Sequence, residues 1–189
     1  ALNAVAASSD FIKIACENFR KNFGISRQDH FKSFELIKID SFSLTESLSE
    51  KAMSFYSDNV ISLYQECPII RDTLTYISQL PSSEKIFVVS ASDQEELRSI
   101  LPKHFPNILP TNIFGGPTSK IDNIATILDG ISYKEAILYG DSIHDAKAAK
   151  FHSINFFGLY QYAADAEGLS EFCKTNNMNI LKNCMQISI

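Results

Sequence analysis

The stretch Ala136-Ile137-Leu138-Tyr139-Gly140-Asp141-Ser142-Ile143-His144-Asp145-Ala146-Lys147-Ala148-Ala149-Lys150 reads as a strand, a tight turn and a helix in one short run. Residues 136–139 are an apolar run of strand length. Gly140 follows at its carboxyl end and leaves room for close approach. Ser142 precedes Asp145 by three residues, the spacing of a helix-capping box, so a helix over residues 143–150 is predicted. A tight turn of this kind brings Asp141, at the strand end, and Asp145, in the first helical turn, to one mouth. A cap alone accounts for Asp145, which the helix dipole favours, but leaves Asp141 unexplained. Two carboxylates there suit a hard cation such as Mg²⁺, held through few carboxylates, waters and phosphate oxygens of a substrate.

Outward from this run the chain alternates. Helices are predicted over residues 69–80, 93–101, 119–129 and 166–175, and strands over 86–89, 112–114 and 154–157, the last ending at Gly158. Pro81-Ser82-Ser83 reads as a loop, Ser92-x-x-Glu95 as one capping box and Ser119-x-x-Asp122 as another. The tail after residue 175 is mixed. Strands alternating with helices imply a parallel sheet with crossover helices. Before residue 67 the pattern differs. Residues 11–66 read as helices with no strand between them. Phe11, Ile12, Ala15, Phe19 and Phe23 form one apolar face that stops at Gly24, and further helices are predicted over 27–38 and 46–66. The organisation is a helical block followed by an α/β block, and the carboxyl ends of the strands are where such a sheet works.

Composition bounds the partners. The chain has 189 residues, 45% hydrophobic and 21% charged, which is ordinary for a globular protein. Twenty-two acidic against 17 basic residues give a net charge of −5, against a nucleic-acid partner. No apolar run approaches the roughly 20 residues that span a bilayer, so no membrane partner is expected. Cys16, Cys67, Cys173 and Cys184 form no C-x-x-C pair, and His30, His104, His144 and His152 are scattered. Free thiols and the absence of a visible signal peptide lead to the expectation of a cytoplasmic protein.

Two further strand ends carry polar residues. Ser90 follows the strand expected over 86–89, and with Ser92 as the helix cap its hydroxyl is left to donate to an anion. Lys120 opens a helix, where a cation is disfavoured by roughly 0.3–1 kcal/mol. A lysine placed against that preference makes sense facing an anion, and Gly115-Gly116-Pro117 before it lets the backbone approach a ligand.

A serine donor, a lysine and a carboxylate pair at successive strand ends, in this order, resemble the haloacid dehalogenase superfamily of phosphotransferases. Ser90 in Val88-Val89-Ser90-Ala91-Ser92 resembles its second motif, Lys120 its third, and Gly140-Asp141-Ser142-x-x-Asp145 its acidic fourth motif. The likeness covers residues 68–158. It implies a Rossmann-like parallel sheet with an inserted all-helical cap, as in the phosphoglycolate phosphatase and β-phosphoglucomutase branch. Residues 11–66 are then the cap, and residues 67–189 together with 1–10 the α/β core. The family's first motif, D-x-D-G-T/V at the end of the first strand, supplies a nucleophilic and an acid/base aspartate. In the best register Ala1 stands at the nucleophile and Asn3 at the acid/base position, and no apolar strand precedes them. Alanine cannot attack phosphorus, and Asn3 cannot exchange a proton at neutral pH. Four alanines among the first seven residues leave three origins open: a start of the chain that is incomplete or imperfectly read, a deliberately disabled site, or a natural pseudoenzyme. The first is preferred, because Ser90, Lys120 and Asp141 are all present.

The resemblance implies, for the intact parent protein, a Mg²⁺-dependent phosphatase of a small phosphorylated metabolite working through an aspartyl-phosphate. Ser90 and Lys120 would hold the phosphoryl oxygens and Asp141 the metal. Asp145 would be a second metal ligand or would position Lys120 and metal-bound waters. Arg20, Lys21, Arg27, His30 and Lys32 are candidates for substrate contacts from the cap. A phosphomutase of the same fold, and a catalytically silent module that binds a phosphorylated ligand, are the alternatives. A dehalogenase would not need the carboxylate pair.

Overall fold

The computed structural model describes residues 1–5, 7–39, 42–81, 85–130 and 136–186. Ser82 and Ser83 of the expected loop lie outside the described residues. The chain divides into two units, Ala1–Cys67 and Pro68–Ile189.

In the first unit a 3₁₀ turn, Leu2–Val5, precedes α1 (Ser9–Lys21), α2 (Arg27–Glu35) and α3 (Glu46–Glu66). Each helix starts at a hydroxyl cap: Ser8 accepts from the Phe11 amide, Ser26 from Asp29 and Thr45 from Leu48. Phe11 and Ala15 are fully buried among Phe31, Phe34, Leu44 and Ala52. Further along the same helix face Phe19 is 38% exposed, one side of its ring covered by stacking on His30. Two expectations are corrected. The block is not strand-free: β1 (Lys38–Ile39) and β2 (Phe42–Ser43) pair antiparallel, and α2 stops at Glu35. Strands of two residues are too short to leave a period in the sequence. Residues 1–10 group with the helices and not with the α/β block, because Val5 is buried in the same cluster as Phe11.

The second unit is α/β, with short parallel sheets. Its elements are α4 (Arg71–Gln79), β3 (Val88–Asp93), α5 (Gln94–His104), β4 (Ile113–Gly116), α6 (Lys120–Leu128), β5 (Ile137–Gly140), α7 (Ile143–Phe151), β6 (Asn155–Leu159), α8 (Ala166–Thr175) and β7 (Asn179–Leu181). The one sheet expected is observed as two parallel pieces, β3–β4 and β5–β6–β7, with no ladder between β3 and β5 among the described residues. The helices hold the pieces together. Ile124 and Leu128 of α6 and Ala148 of α7 are buried with Val89 of β3 and Leu138 of β5. Successive strand residues face opposite ways, so Val88 and Tyr139 meet the other layer. There Ile77 of α4 packs with Val88 and Leu97, and Tyr76 packs on Tyr139 with the hydroxyls 3.0 Å apart. Asp72, in the first turn of α4, accepts the Tyr162 hydroxyl beyond β6. The second buried cluster sets α8 on α7, through Leu169 and Cys173 against Ala146, Ala149 and Phe156. β7, within the tail read as mixed, pairs parallel with β6.

No described helix is long and apolar enough to cross a membrane. The four cysteines are free, Cys16 and Cys67 exposed and Cys173 and Cys184 buried.

Leu169 is fully buried between α8, α7 and the sheet. Leu169→Ala is expected to lower the stability of the α/β unit by about 2–5 kcal/mol, read as a shift of its urea-unfolding midpoint.

Candidate functional site

Gly140 ends β5 opposite Gly158 of β6. A Cβ on Gly140 would lie 2.4 Å from the Cβ of Asp145 and 2.6 Å from its Cγ. Only glycine lets the first turn of α7 fold this closely over the strand. The Asp145 side chain is thereby buried and fully engaged. Its Oδ2 accepts from the Ser142 amide (3.1 Å) and hydroxyl (2.7 Å), while the Ser142 hydroxyl accepts from the Asp145 amide (3.2 Å). The expected capping box is present. Its Oδ1 accepts from the Lys120 ammonium in an ion pair whose side chains are 14% and 8% exposed. Asp145 thus holds the Lys120 ammonium through Oδ1 and its own helix start through Oδ2.

Lys120 is the first residue of α6, capped by Ser119, whose hydroxyl accepts from the Asp122 amide at 3.1 Å. The loop before it is held by Asn123, whose amide donates to the carbonyls of Gly115 (3.1 Å) and Thr118 (3.3 Å). An ammonium has three N–H donors. Asp145 uses one, which leaves two on a lysine fixed in place.

Asp141 lies within the field of this pair. Burial holds its carboxyl above the usual aspartate range and the charge of Asp145 adds to the rise, while its own backbone N–H and Lys120 pull it down. His144, in the same first turn, is half-buried. Burial and then Lys147 and Lys120 hold its imidazole below the ordinary range, against the pull of Asp145. The sequence reading passed over His144, although it stands between the two aspartates of the motif. The signal was its position in the first turn after a strand end.

Ser90 is not at the end of its strand but inside β3, where the register with β4 shifts between Val89 and Asp93. Its hydroxyl oxygen accepts from the Ser92 amide at 3.1 Å and keeps its proton for another acceptor. The cap of α5 is Asp93 and not Ser92: one carboxylate oxygen accepts from the amides of Glu95 and Glu96, both at 3.0 Å. An ionised acceptor serving two amides outcompetes a serine one residue earlier. Gly115 and Gly116 are also reassigned. A Cβ on Gly115 would lie 2.5 Å from the Ser92 carbonyl oxygen, and one on Gly116 3.2 Å from that of Ala91. The room they make is filled by the bulged backbone of β3, not left for a ligand.

Asn3 stands on the exposed 3₁₀ turn of the first unit and not at a strand end. In that unit His30 is 5% exposed and stacked on Phe19 at 4.2 Å, which makes it a core residue. Arg27 donates to the Ser57 hydroxyl at 2.7 Å and lies over the Tyr56 ring. Arg20, Lys21 and Lys32 are exposed.

Among the described residues no group of three or more His, Cys, Asp and Glu side chains could hold a metal ion by itself. A hard cation fits here in one carboxylate, Asp141, provided that waters and phosphate oxygens complete its shell. A cation there would also offset what opposes the charge of Asp141, its burial and the neighbouring Asp145.

No family model, no curated protein and no solved structure matches this chain.

Two outcomes follow from this geometry. Gly140→Ala must push Asp145 off Lys120, and a loss of roughly 1–3 kcal/mol in unfolding free energy is expected. In the metal-free protein Asp141→Asn is expected to raise the melting temperature at pH 7. The Asp141 carboxyl titrates above its ordinary value of 3.8 when folded, so its charged form opposes folding at neutral pH. That penalty fades as the pH falls through the folded value and is absent below 3.8. The advantage of Asp141→Asn therefore shrinks on acidification, and melting curves from pH 7 downwards read it directly.

Proposed function

We propose that this chain carries the phosphoryl-binding site of a Mg²⁺-dependent phosphatase acting on a small phosphorylated metabolite. The observation that carries the reading is the buried Lys120–Asp145 pair beside Asp141. Asp145 and Ser142 fix the ammonium, so its two remaining N–H groups are aimed before a ligand arrives. Preorganised donors of this kind stabilise the charge that builds on a transferring phosphoryl group without reorganising. The Ser90 hydroxyl is the neutral donor of the set. Asp141 would hold the Mg²⁺, which when bound supplies charge neutralisation for the phosphoryl oxygens. Without that cation the net negative charge of the triad opposes a phosphate dianion. Phosphate and cation should therefore bind with positive coupling, each strengthening the other by the same factor. The helical unit, read as a cap of the phosphoglycolate phosphatase type, would set substrate choice.

Turnover through an aspartyl-phosphate needs a carboxylate nucleophile and a second carboxylic acid. The motif that would supply them reads Ala1 and Asn3 here. The second reading is a module that binds phosphorylated ligands and does not hydrolyse them.

The test is calorimetric titration with inorganic phosphate, with and without Mg²⁺. Phosphate should bind at least tenfold more tightly with saturating Mg²⁺. Lys120→Met should weaken it by roughly 10- to 100-fold, the worth of one charge-assisted hydrogen bond. Since that substitution leaves Asp145 buried without its partner, the double variant Lys120→Met/Asp145→Asn serves as the folded control. Absence of phosphate binding in the wild type, with and without Mg²⁺, would sink the proposal. Hydrolysis of a phosphate ester then separates the two readings, once peptide mapping of the natural chain has shown whether Ala1 and Asn3 are genuine. A natural Asp-x-Asp should turn over, and genuine alanine should not.

A further inference from the structure

We propose that His152 is a positioning residue of this site: its ring N–H holds the main chain beside Lys120, and so keeps α6 in the register on α7 that brings the ammonium to Asp145. The inference rests on the phosphoryl-binding reading above and adds to it a residue that lies outside the sequence motifs.

The site joins the starts of two helices, with Lys120 from α6 and Asp141 and Asp145 from the turn into α7. The apolar part of the seam between them sets Ile121, Ile124 and Leu128 against Ala148. Apolar packing is non-directional, so by itself it leaves open how far one helix slides on the other. Among the described residues two hydrogen-bonded side-chain contacts join these helices. The Asp145 carboxylate accepts from the Lys120 ammonium, and His152 Nε2 lies 2.8 Å from the Ile121 carbonyl oxygen. A carbonyl oxygen can only accept, so Nε2 carries the proton and donates.

The first contact fixes the tip of a flexible four-carbon stem. The second fixes the backbone of the next residue, and with it the point from which that stem starts. At 1.5 Å per residue, Asp145 and His152 lie about 10 Å apart along α7. The first turn of α6 is therefore held from both ends of its neighbour.

His152 is itself anchored. It is the residue on which α7 ends. Ser153 takes a left-handed conformation (φ 55°), and the amides of Ser153 and Ile154 donate to the carbonyls of Lys150 and Ala149, both at 3.1 Å. This pair of bonds closes the helix and holds the base of the imidazole. Phe151, although 68% exposed, sets its ring edge-to-face against the imidazole at 5.0 Å.

Every substitution is made in the full chain, and inorganic phosphate is titrated calorimetrically at saturating Mg²⁺. His152→Ala is expected to bind phosphate about tenfold more weakly than the wild type. His152→Phe keeps a ring in the seam but has no N–H, and should lose as much. His152→Gln can place an amide N–H at the same carbonyl oxygen and should recover most of the affinity. Leu169→Ala lowers stability away from this seam and should bind phosphate like the wild type. The nitrogen resonance of the Lys120 ammonium, assigned by its absence in Lys120→Met, should broaden in His152→Ala and His152→Phe and sharpen again in His152→Gln, which a merely structural role would not produce. His152→Ala and His152→Phe binding phosphate like the wild type, while Lys120→Met/Asp145→Asn does not, overturns this inference and leaves the site standing. An equal loss in Leu169→Ala overturns it as well, because the effect is then one of stability. Failure of the wild type itself to bind phosphate overturns both this inference and the reading on which it rests.

Discussion

The missing side chain at Gly140 is the constraint on which the site depends. With 2.4 Å between the place of its Cβ and the Cβ of Asp145, any larger residue would hold α7 away from the strand. Asp145 could then not reach Lys120 and the Ser142 amide together. Two helices are joined through this one carboxylate: α7 by its own cap, and α6 by the lysine at its first position. The same two helices bury Ile124, Leu128 and Ala148 across the two pieces of sheet. The ion pair thus sits at the polar end of the packing seam that keeps β3 and β5 in one unit.

A buried pair of this kind is poor evidence for stability, because desolvation offsets most of the attraction. Its value here is positional. It places an ammonium at a helix N-terminus, against the dipole, and leaves two of its donors unused. Beside it Asp141 keeps a carboxylate where burial and Asp145 both oppose its charge. A fold shaped only for stability would carry an amide at that position. Charges held against burial at a strand end mark a candidate binding site. The proposed demands are complementary: a cation would ease the charge of Asp141, and Lys120 and Ser90 have donors to give to an anion.

What the sequence made legible follows the range of each signal. The strand, turn and capping box of residues 136–150 are local, and Ser142 and Asp145 stand as read. The helix expected over Ala166–Thr175 is present at those bounds. Errors arose where two neighbours competed for one role, as when Asp93 took the cap expected of Ser92. They arose also where a residue serves a distant partner. Gly115 and Gly116 read as an approach for a ligand, but they accommodate the bulge of β3, whose contact with them is set by strand pairing. His30 read as a surface candidate, and its burial depends on Phe19 of another helix. The two-residue strands β1 and β2 and the short β7 carry no period that a reading of one chain could detect.

The residues proposed to hold a phosphoryl group are each encoded within one strand–turn–helix segment: Ser90 before α5, Lys120 opening α6, Asp141 and Asp145 around the start of α7. Each is fixed by caps and close contacts inside the unit Pro68–Ile189. Ala1 and Asn3 belong to the other unit. Under the proposed reading, affinity for phosphate is therefore the quantity on which substitutions at Lys120 and Asp141 are compared, because it depends on the groups these caps and contacts fix and on nothing in the first unit's sequence.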